Sequence, residues 1–151
     1  TYHIRYTDAE LPLPHRGQYQ DNLRHLATLA RLHGCEVVFG LQAMAPTPEH
    51  FERHFKTKSF NPKVQYPRIG QLQRHFESYH AAMNEVAQEM NIPVANPYRR
   101  LVDKPEWLAD VVHVQAAGAR VVAEEFAATL QQSGVWARLR ARAEAGVVAG
   151  R

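Results

Sequence analysis

Asp110 and His113 are the residues of this sequence whose types and spacing point most directly to chemistry. They belong to the stretch DVVHVQAAG, residues 110–118. A carboxylate three residues before a histidine in a turn can accept a hydrogen bond from one ring nitrogen, fix the tautomer and stabilise the imidazolium formed during proton transfer. The reference pKa of histidine, about 6.5, suits such transfer near neutral pH. The alternative is a capped turn in which the histidine is a satisfied, partly buried residue.

The spacing Asp-x-x-His is weak evidence for a catalytic role, because a chain with nine histidines can contain it by chance. The position of the stretch along the chain is stronger evidence. A helical pattern begins at Ala116, and a predicted strand at residues 92–97 precedes the stretch. In open α/β sheets the reactive crevice lies beyond the carboxyl ends of the strands. His113 is therefore expected at such a crevice.

Helical and strand patterns alternate along the chain. The segment 35–41, with continuous apolar residues at 37–39, and a short run between prolines at 92–97 indicate two buried strands. Amphipathic helices are predicted at 18–33, 72–90 and 116–132, with a short helix at 49–55, a helical turn at 105–108 and a basic helix from 135 onward. Gly34, Asn91 and Gly134 follow helices at positions typical of terminators. This order predicts parallel strands joined by right-handed crossovers.

Two strands are too few for a complete parallel sheet, which needs several neighbours and two covered faces. The sequence thus predicts the C-terminal portion of an α/β domain over residues 1–132, followed by a basic C-terminal helix or tail over 133–151. Because the chain begins at Thr1 with neither an initiator methionine nor a cap, we expect a processed or partial product whose targeting segment is lost. The count of two strands implies that the earlier strands of the sheet are missing or come from elsewhere.

The composition excludes several classes of protein. A chain of 151 residues with 45% hydrophobic residues suits one globular unit, and its net charge of +3 is spread along the chain, so we expect no nucleic-acid partner. No apolar run reaches the length of a membrane span. The single cysteine, Cys35, excludes an internal disulfide, and we expect it to be a small core residue. Compartment and oligomeric state stay undecided, with the cytoplasm slightly favoured.

The segment from Tyr79 to Leu130 resembles the C-terminal half of the SGNH (GDSL) hydrolase family. The most specific match is WLADVVH, residues 107–113, followed by Gly118 and an amphipathic helix, because the family ends in an Asp-x-x-His loop of this form. Residues 79–87 with Ile92-Pro93-Val94 are similar to its penultimate helix and strand. Residues 19–39 are similar to the helix and strand before those.

The resemblance implies a flavodoxin-like three-layer α/β/α fold with a parallel sheet, and a hydrolase that cleaves a carboxylic ester by acyl transfer to a serine. It gives His113 the role of general base and Asp110 that of the carboxylate orienting it. It implies a small-molecule ester as substrate, and we expect no cofactor and no metal. The position of Gln115 more often holds Asn or Thr in the family, a mild departure.

The nucleophile is the serious departure from the family pattern. The family carries its serine in a Gly-Asp-Ser block upstream of the matched region, and its oxyanion-hole donors in two further blocks; none of these blocks is present here. Ser59, Ser78 and Ser133 all lack the Gly-rich strand-to-helix setting that exposes a nucleophile. His3 is a candidate remnant of the third block, or else a solvated terminal residue. The alternative function is accordingly a non-catalytic α/β binding or interaction module.

Three further groups of residues have functional and structural interpretations. His50 and His54 have the i, i+4 spacing of a zinc site but no third ligand in the motif, which favours a solvated helix face. The pair Arg99-Arg100 could meet an acidic substrate, and a surface pair is the preferred interpretation. Trp136 could touch a partner or a membrane surface, whereas packing onto the domain is preferred.

Overall fold

A computed structural model describes residues 6–7, 15–45, 47–57 and 66–149 of the chain. Helices dominate it. They are α1 (Arg16–Leu32), α2 (Pro48–Thr57), α3 (Ile69–Met90), α4 (Tyr98–Leu101), α5 (Ala116–Gln132) and α6 (Val135–Ala149), with a 3-10 turn at Pro105–Trp107. The strands are two residues each: β1 (Tyr6–Thr7), β2 (Phe39–Gly40), β3 (Tyr66–Pro67) and β4 (Val94–Ala95).

The prediction of a flavodoxin-like three-layer α/β/α fold is wrong. In the part of the chain that the structure describes, helices account for 68% and strands for 6%. The strands form two separate parallel pairs, β1 with β3 and β2 with β4. The predicted strand at residues 35–41 contracts to Phe39–Gly40, because only these residues find a ladder partner, with Phe39 opposite Val94. The parallel direction of β2 and β4 is the part of the sheet prediction that is confirmed.

One apolar core cluster lies between α1, α3 and the β2–β4 pair. Ala27, Phe39, Val86, Ala87 and Ile92 are buried together there. The sequence predicts that Leu23, Leu26, Ala27, Leu29 and Ala30 form one apolar face of α1. This prediction is only partly correct, since Leu26 is 64% and Leu29 54% exposed. At 100° per residue both leucines lie at least 90° around the helix from Ala27, on a side that α3 does not cover. Ion pairs Arg16–Glu85 and Arg24–Glu89 complete the contact between the two helices.

The predicted helix ends are confirmed where residues adopt positive φ. Gly34 has φ 72° after α1, Asn91 has φ 57° after α3, and Gly134 has φ 71° between α5 and α6. Glycine and asparagine tolerate this left-handed conformation best, so they end helices. The bounds predicted for α5, residues 116–132, are those of the structure.

The C-terminal helix α6 is fixed at its start by the buried Val135. Arg138 and Arg142 both bind the carboxylate of Glu36, which joins α6 to the segment after α1. The preferred packing of Trp136 onto the domain is wrong, because its side chain is exposed. Cys35, expected in the core, is exposed as well. The proposed boundary at residue 132 stays a prediction.

None of the helices within the described ranges is both long and apolar enough to cross a membrane.

Candidate Asp–His site

The stretch that contains Asp110 and His113 folds as a tight loop closed at its base. Leu108 and Val114 form an antiparallel bridge. The backbone N–H of Ala109 donates to the carbonyl of His113 at 2.7 Å, and that of Gln115 to the carbonyl of Trp107 at 2.8 Å. The loop is therefore closed just before α5 begins.

Asp110 organises the inside of this loop. Its Oδ1 accepts hydrogen bonds from the backbone N–H groups of Val112 and His113, both at 3.0 Å. Both Oδ1 and Oδ2 lie 2.8 Å from Nδ1 of His113. The side chain of Asp110 is 10% exposed. Carboxylates hydrogen-bonded in this way to the following backbone form an Asx-turn, which here sets the position of the imidazole as well.

The imidazole of His113 is accessible, since its side chain is 53% exposed, although its partner Asp110 is buried. An ionised carboxylate only accepts hydrogen bonds, so Nδ1 is the nitrogen that donates to Asp110. In the neutral ring Nε2 then carries the lone pair, on the side of the ring away from the carboxylate. This is the tautomer that a general base working through Nε2 requires.

Neighbouring segments hold the loop through its backbone carbonyls. Ala45 donates its N–H to Val111 at 3.2 Å, Gln42 donates Nε2–H to Val112 at 3.3 Å, and Arg53 donates Nη1–H to Ala109 at 3.1 Å. Leu108 and Val111 are buried in the apolar clusters below. The loop is thereby tied to the segment that follows β2 and to α2.

Asp110 caps the turn that follows it, as the structural alternative predicted, through the two backbone hydrogen bonds to its Oδ1, but it is not the cap residue of α5. The cap residue of α5 is Gln115, and it provides no side-chain cap hydrogen bond. Gln115 instead donates Nε2–H to the carbonyl of Leu108 at 3.0 Å, across the base of the loop. In the sequence, Gln115 stands out only as a departure from a family pattern. Its bridging role depends on a contact with a residue seven positions away, which no spacing rule indicates.

The serines within the described ranges have structural settings. Ser78 lies inside α3. Ser133 ends α5 and donates its hydroxyl to the carbonyl of Thr129 at 2.7 Å. Ser59 and His3 lie outside the described residues. No nucleophile is therefore assigned from this part of the chain.

The structure also locates the histidine pair of α2 and the arginine pair of α4. His50 is buried, so a solvated helix face is the wrong description for it, and the side chain of His54 lies outside the described residues. Among the described residues no three His, Cys, Asp or Glu side chains are grouped as metal ligands. The exposed Arg99 and Arg100 pair with Glu125 and Glu124 of α5, at 3.2 and 2.9 Å, as the surface interpretation predicted.

An open groove of about 620 Å³ lies between the N-terminal parts of α1 and α3. Tyr19, Leu72, Phe76 and Tyr79 line it, and Gln42 and His80 are also part of its wall. The periodicity of α3 predicts an amphipathic helix but does not say whether its apolar stripe packs in the core or lines a groove. A helix stripe that is partly buried and partly lines a groove shows the same periodicity, so the sequence could not separate the two.

No family model, no curated protein and no solved structure matches this chain. The resemblance to the SGNH hydrolases stays a prediction that depends on the residues quoted above.

Proposed function

We propose that this chain supplies the base and the orienting carboxylate of a serine hydrolase that cleaves carboxylic esters, related to the SGNH family. The observation that carries the proposal is the pair of 2.8 Å distances from Nδ1 of His113 to the two oxygens of the buried Asp110. A turn alone requires only the two backbone hydrogen bonds to Oδ1. The additional contact to the imidazole gives the histidine a defined tautomer and orientation.

In the proposed reaction, Nε2 of His113 takes the hydroxyl proton of a serine as its oxygen attacks the ester carbonyl. The bond to the alcohol then breaks, and the imidazolium returns the proton to the departing oxygen. Water attacks the acyl-enzyme in the same way, releasing the acid. Asp110 stabilises the imidazolium in both steps and stays ionised throughout. The serine is not among the described residues, so the proposal assigns no residue to it.

The second candidate is a non-catalytic binding or interaction module. The observation that favours it is the double role of Asp110, whose Oδ1 already holds the backbone of Val112 and His113. In such a module the imidazole would only complete the turn. The two candidates differ in one measurable property, the presence of an activated serine.

The test is labelling of the protein, in its full natural length, by a fluorophosphonate, which reacts with activated serines. The proposal expects covalent attachment to one serine, and labelling that slows strongly in the His113→Ala variant. His25→Ala is the matched control, because His25 is exposed on α1 and is not part of the loop. Absence of labelling in the folded wild-type protein would leave only the non-catalytic module.

A further inference from the structure

The groove between α1 and α3 is connected to the loop of Asp110 and His113 through shared contacts. Gln42 lines the groove and donates its side-chain N–H to the carbonyl of Val112, the residue before His113. Leu72 and Phe76, in the groove wall, pack in the same apolar cluster as Val111 and Val112. The wall of the groove and the candidate catalytic loop therefore contact each other.

The chemistry of the groove suits a neutral aromatic ligand. Tyr19 and Tyr79 meet edge to face in its wall, with ring centroids 4.9 Å apart. Phe76 and Leu72 add apolar surface. Of the described residues that line the groove, none is Asp, Glu, Lys or Arg, and its ionisable side chains are Tyr19, Tyr79 and the histidines His15, His75 and His80. Aromatic walls with a few polar groups are typical of sites for small, largely apolar molecules.

His80 adds a specific polar requirement. It is 8% exposed, and its Nε2 is buried without a hydrogen-bond partner in the described structure. Burial lowers the pKa of His80, while a hydrogen bond with the backbone of Gln42 opposes that change, so this bond is one that the ring donates to a carbonyl. Since Nε2 has no partner, the donor is Nδ1, and Nε2 of the neutral ring is an unsatisfied acceptor.

We infer that the groove binds a hydroxyl-bearing aromatic group of the ester substrate, with the phenolic hydroxyl donating to Nε2 of His80. The catalytic meaning of this site depends on the proposed function, but binding itself does not. Because a buried acceptor without a partner is costly, a ligand that donates a hydrogen bond to it should bind more tightly than the same ligand without the donor. The volume of about 620 Å³ accommodates a bicyclic ring with space remaining for an ester group.

Calorimetric titration of the full chain with 2-naphthol and with 2-methoxynaphthalene tests the inference. The two probes share a ring system, and only the first donates a hydrogen bond. We expect 2-naphthol to bind about tenfold more tightly, the effect of one net hydrogen bond. The His80→Phe variant, which keeps a ring but removes Nε2, should abolish the difference. Equal affinities for the wild-type protein would overturn the role of His80.

The position of the site is tested by filling the groove. Asn22→Trp places an indole in its lining and should weaken binding of 2-naphthol at least about tenfold. Thr28→Trp is the matched control, because Thr28 is exposed on the same helix and does not line the groove. Circular dichroism of both variants checks the fold. Unchanged affinity in folded Asn22→Trp would overturn the assignment of the groove.

Failure of this inference can be separated from failure of the proposed function. His113→Ala should bind 2-naphthol like the wild-type protein, whether or not the protein hydrolyses esters. If 2-naphthol binds in the groove and no ester is cleaved, the binding site stands and the hydrolase proposal fails. If ester cleavage depends on His113 while 2-naphthol binds equally well to folded Asn22→Trp, the proposed function stands and the groove assignment fails.

Discussion

The backbone carbonyl of Trp107 lies so close to Gly118 that a Cβ atom at position 118 would be 2.6 Å from its oxygen. The same Cβ would lie 3.1 Å from Cβ of Val114. Gly118 belongs to the first turn of α5, and Trp107 and Val114 stand at the base of the Asp–His loop. The missing side chain therefore lets α5 contact this base directly, which gives a physical reason for glycine at this position.

Gly118→Ala should destabilise the protein. The clash is with a backbone atom, which cannot rotate away, so either α5 or the base of the loop must move. Overpacking of this kind costs about 1–3 kcal/mol. Urea denaturation followed by circular dichroism measures the change in the free energy of unfolding.

Gly70→Ala is the matched control for that substitution. Gly70 lies in the first turn of α3, and the nearest atom to a Cβ there would be the flexible end of Arg74 at 3.8 Å. Alanine favours helix by up to about 1 kcal/mol over glycine. We therefore expect neutral or increased stability. If Gly70→Ala lowered the free energy of unfolding as much as Gly118→Ala, the close contact between Gly118 and Trp107 would not explain the effect at position 118.

Two substitutions of Asp110 separate its chemical role from its structural one. Asparagine keeps an oxygen that can accept from the N–H groups of Val112 and His113 but loses the negative charge. Asp110→Asn should therefore keep nearly the wild-type thermal stability and lower kcat for an aryl ester about 10⁴-fold, as the corresponding change does in Ser-His-Asp hydrolases.

Asp110→Ala also removes the oxygen that accepts the two backbone hydrogen bonds. Its free energy of unfolding should therefore be about 1–3 kcal/mol lower than that of Asp110→Asn. Thermal unfolding and steady-state kinetics on the same samples make the comparison. If both variants lost stability equally, the backbone hydrogen bonds would not be the structural role of Asp110.

The attachment of α6 should weaken in acid. The hydrogen bond from Arg138 is the main cause that lowers the pKa of the Glu36 carboxyl below its ordinary value of 4.5; burial opposes this, and the charges of Arg138, Arg142 and Arg31 add to it. The folded state thus binds this proton less readily than the unfolded chain. The stabilisation is present above the unfolded pKa and is lost as pH falls through the lower folded pKa.

Amide hydrogen exchange in α6, compared at pH values from 6 down to 3 after correction for the intrinsic rate, measures this effect. In the wild-type protein, the protection of the α6 amides should decrease once the pH is below about 4.5, which is the ordinary pKa of the Glu36 carboxyl. Glu36→Gln should be less protected at pH 6 and should lose most of the dependence on pH. An unchanged pH profile in Glu36→Gln would exclude Glu36 as the group responsible.

The helices could be predicted from the sequence because their signals are local. The stripe in α3 ends at Asn91 and that in α5 before Gly134, and both terminators have the positive φ that their residue types favour. The turn at Pro105–Trp107 was likewise predicted. The contact of Asp110 with His113 follows from a spacing of three residues within one loop. Such features require no knowledge of the rest of the fold.

The sheet and the surroundings of the site could not be predicted in the same way. Val37 and Val38 have strand-forming side chains, but pairing depends on a partner far along the chain, and only Phe39–Gly40 obtains one. The exposure of Leu26 depends on where α3 lies. Likewise, the burial of His80 against Gln42 joins residues from separate elements, and no periodicity in the sequence indicates it.

The most direct test of the central claim is the hydrolysis of 4-nitrophenyl acetate by the protein in its full natural length and by its His113→Ala variant, with His25→Ala as the control. If His113 is the base, kcat/KM falls at least about 10³-fold in His113→Ala and stays at the wild-type value in His25→Ala. Wild-type hydrolysis that persists unchanged in a folded His113→Ala protein would contradict the assignment of His113 as the general base.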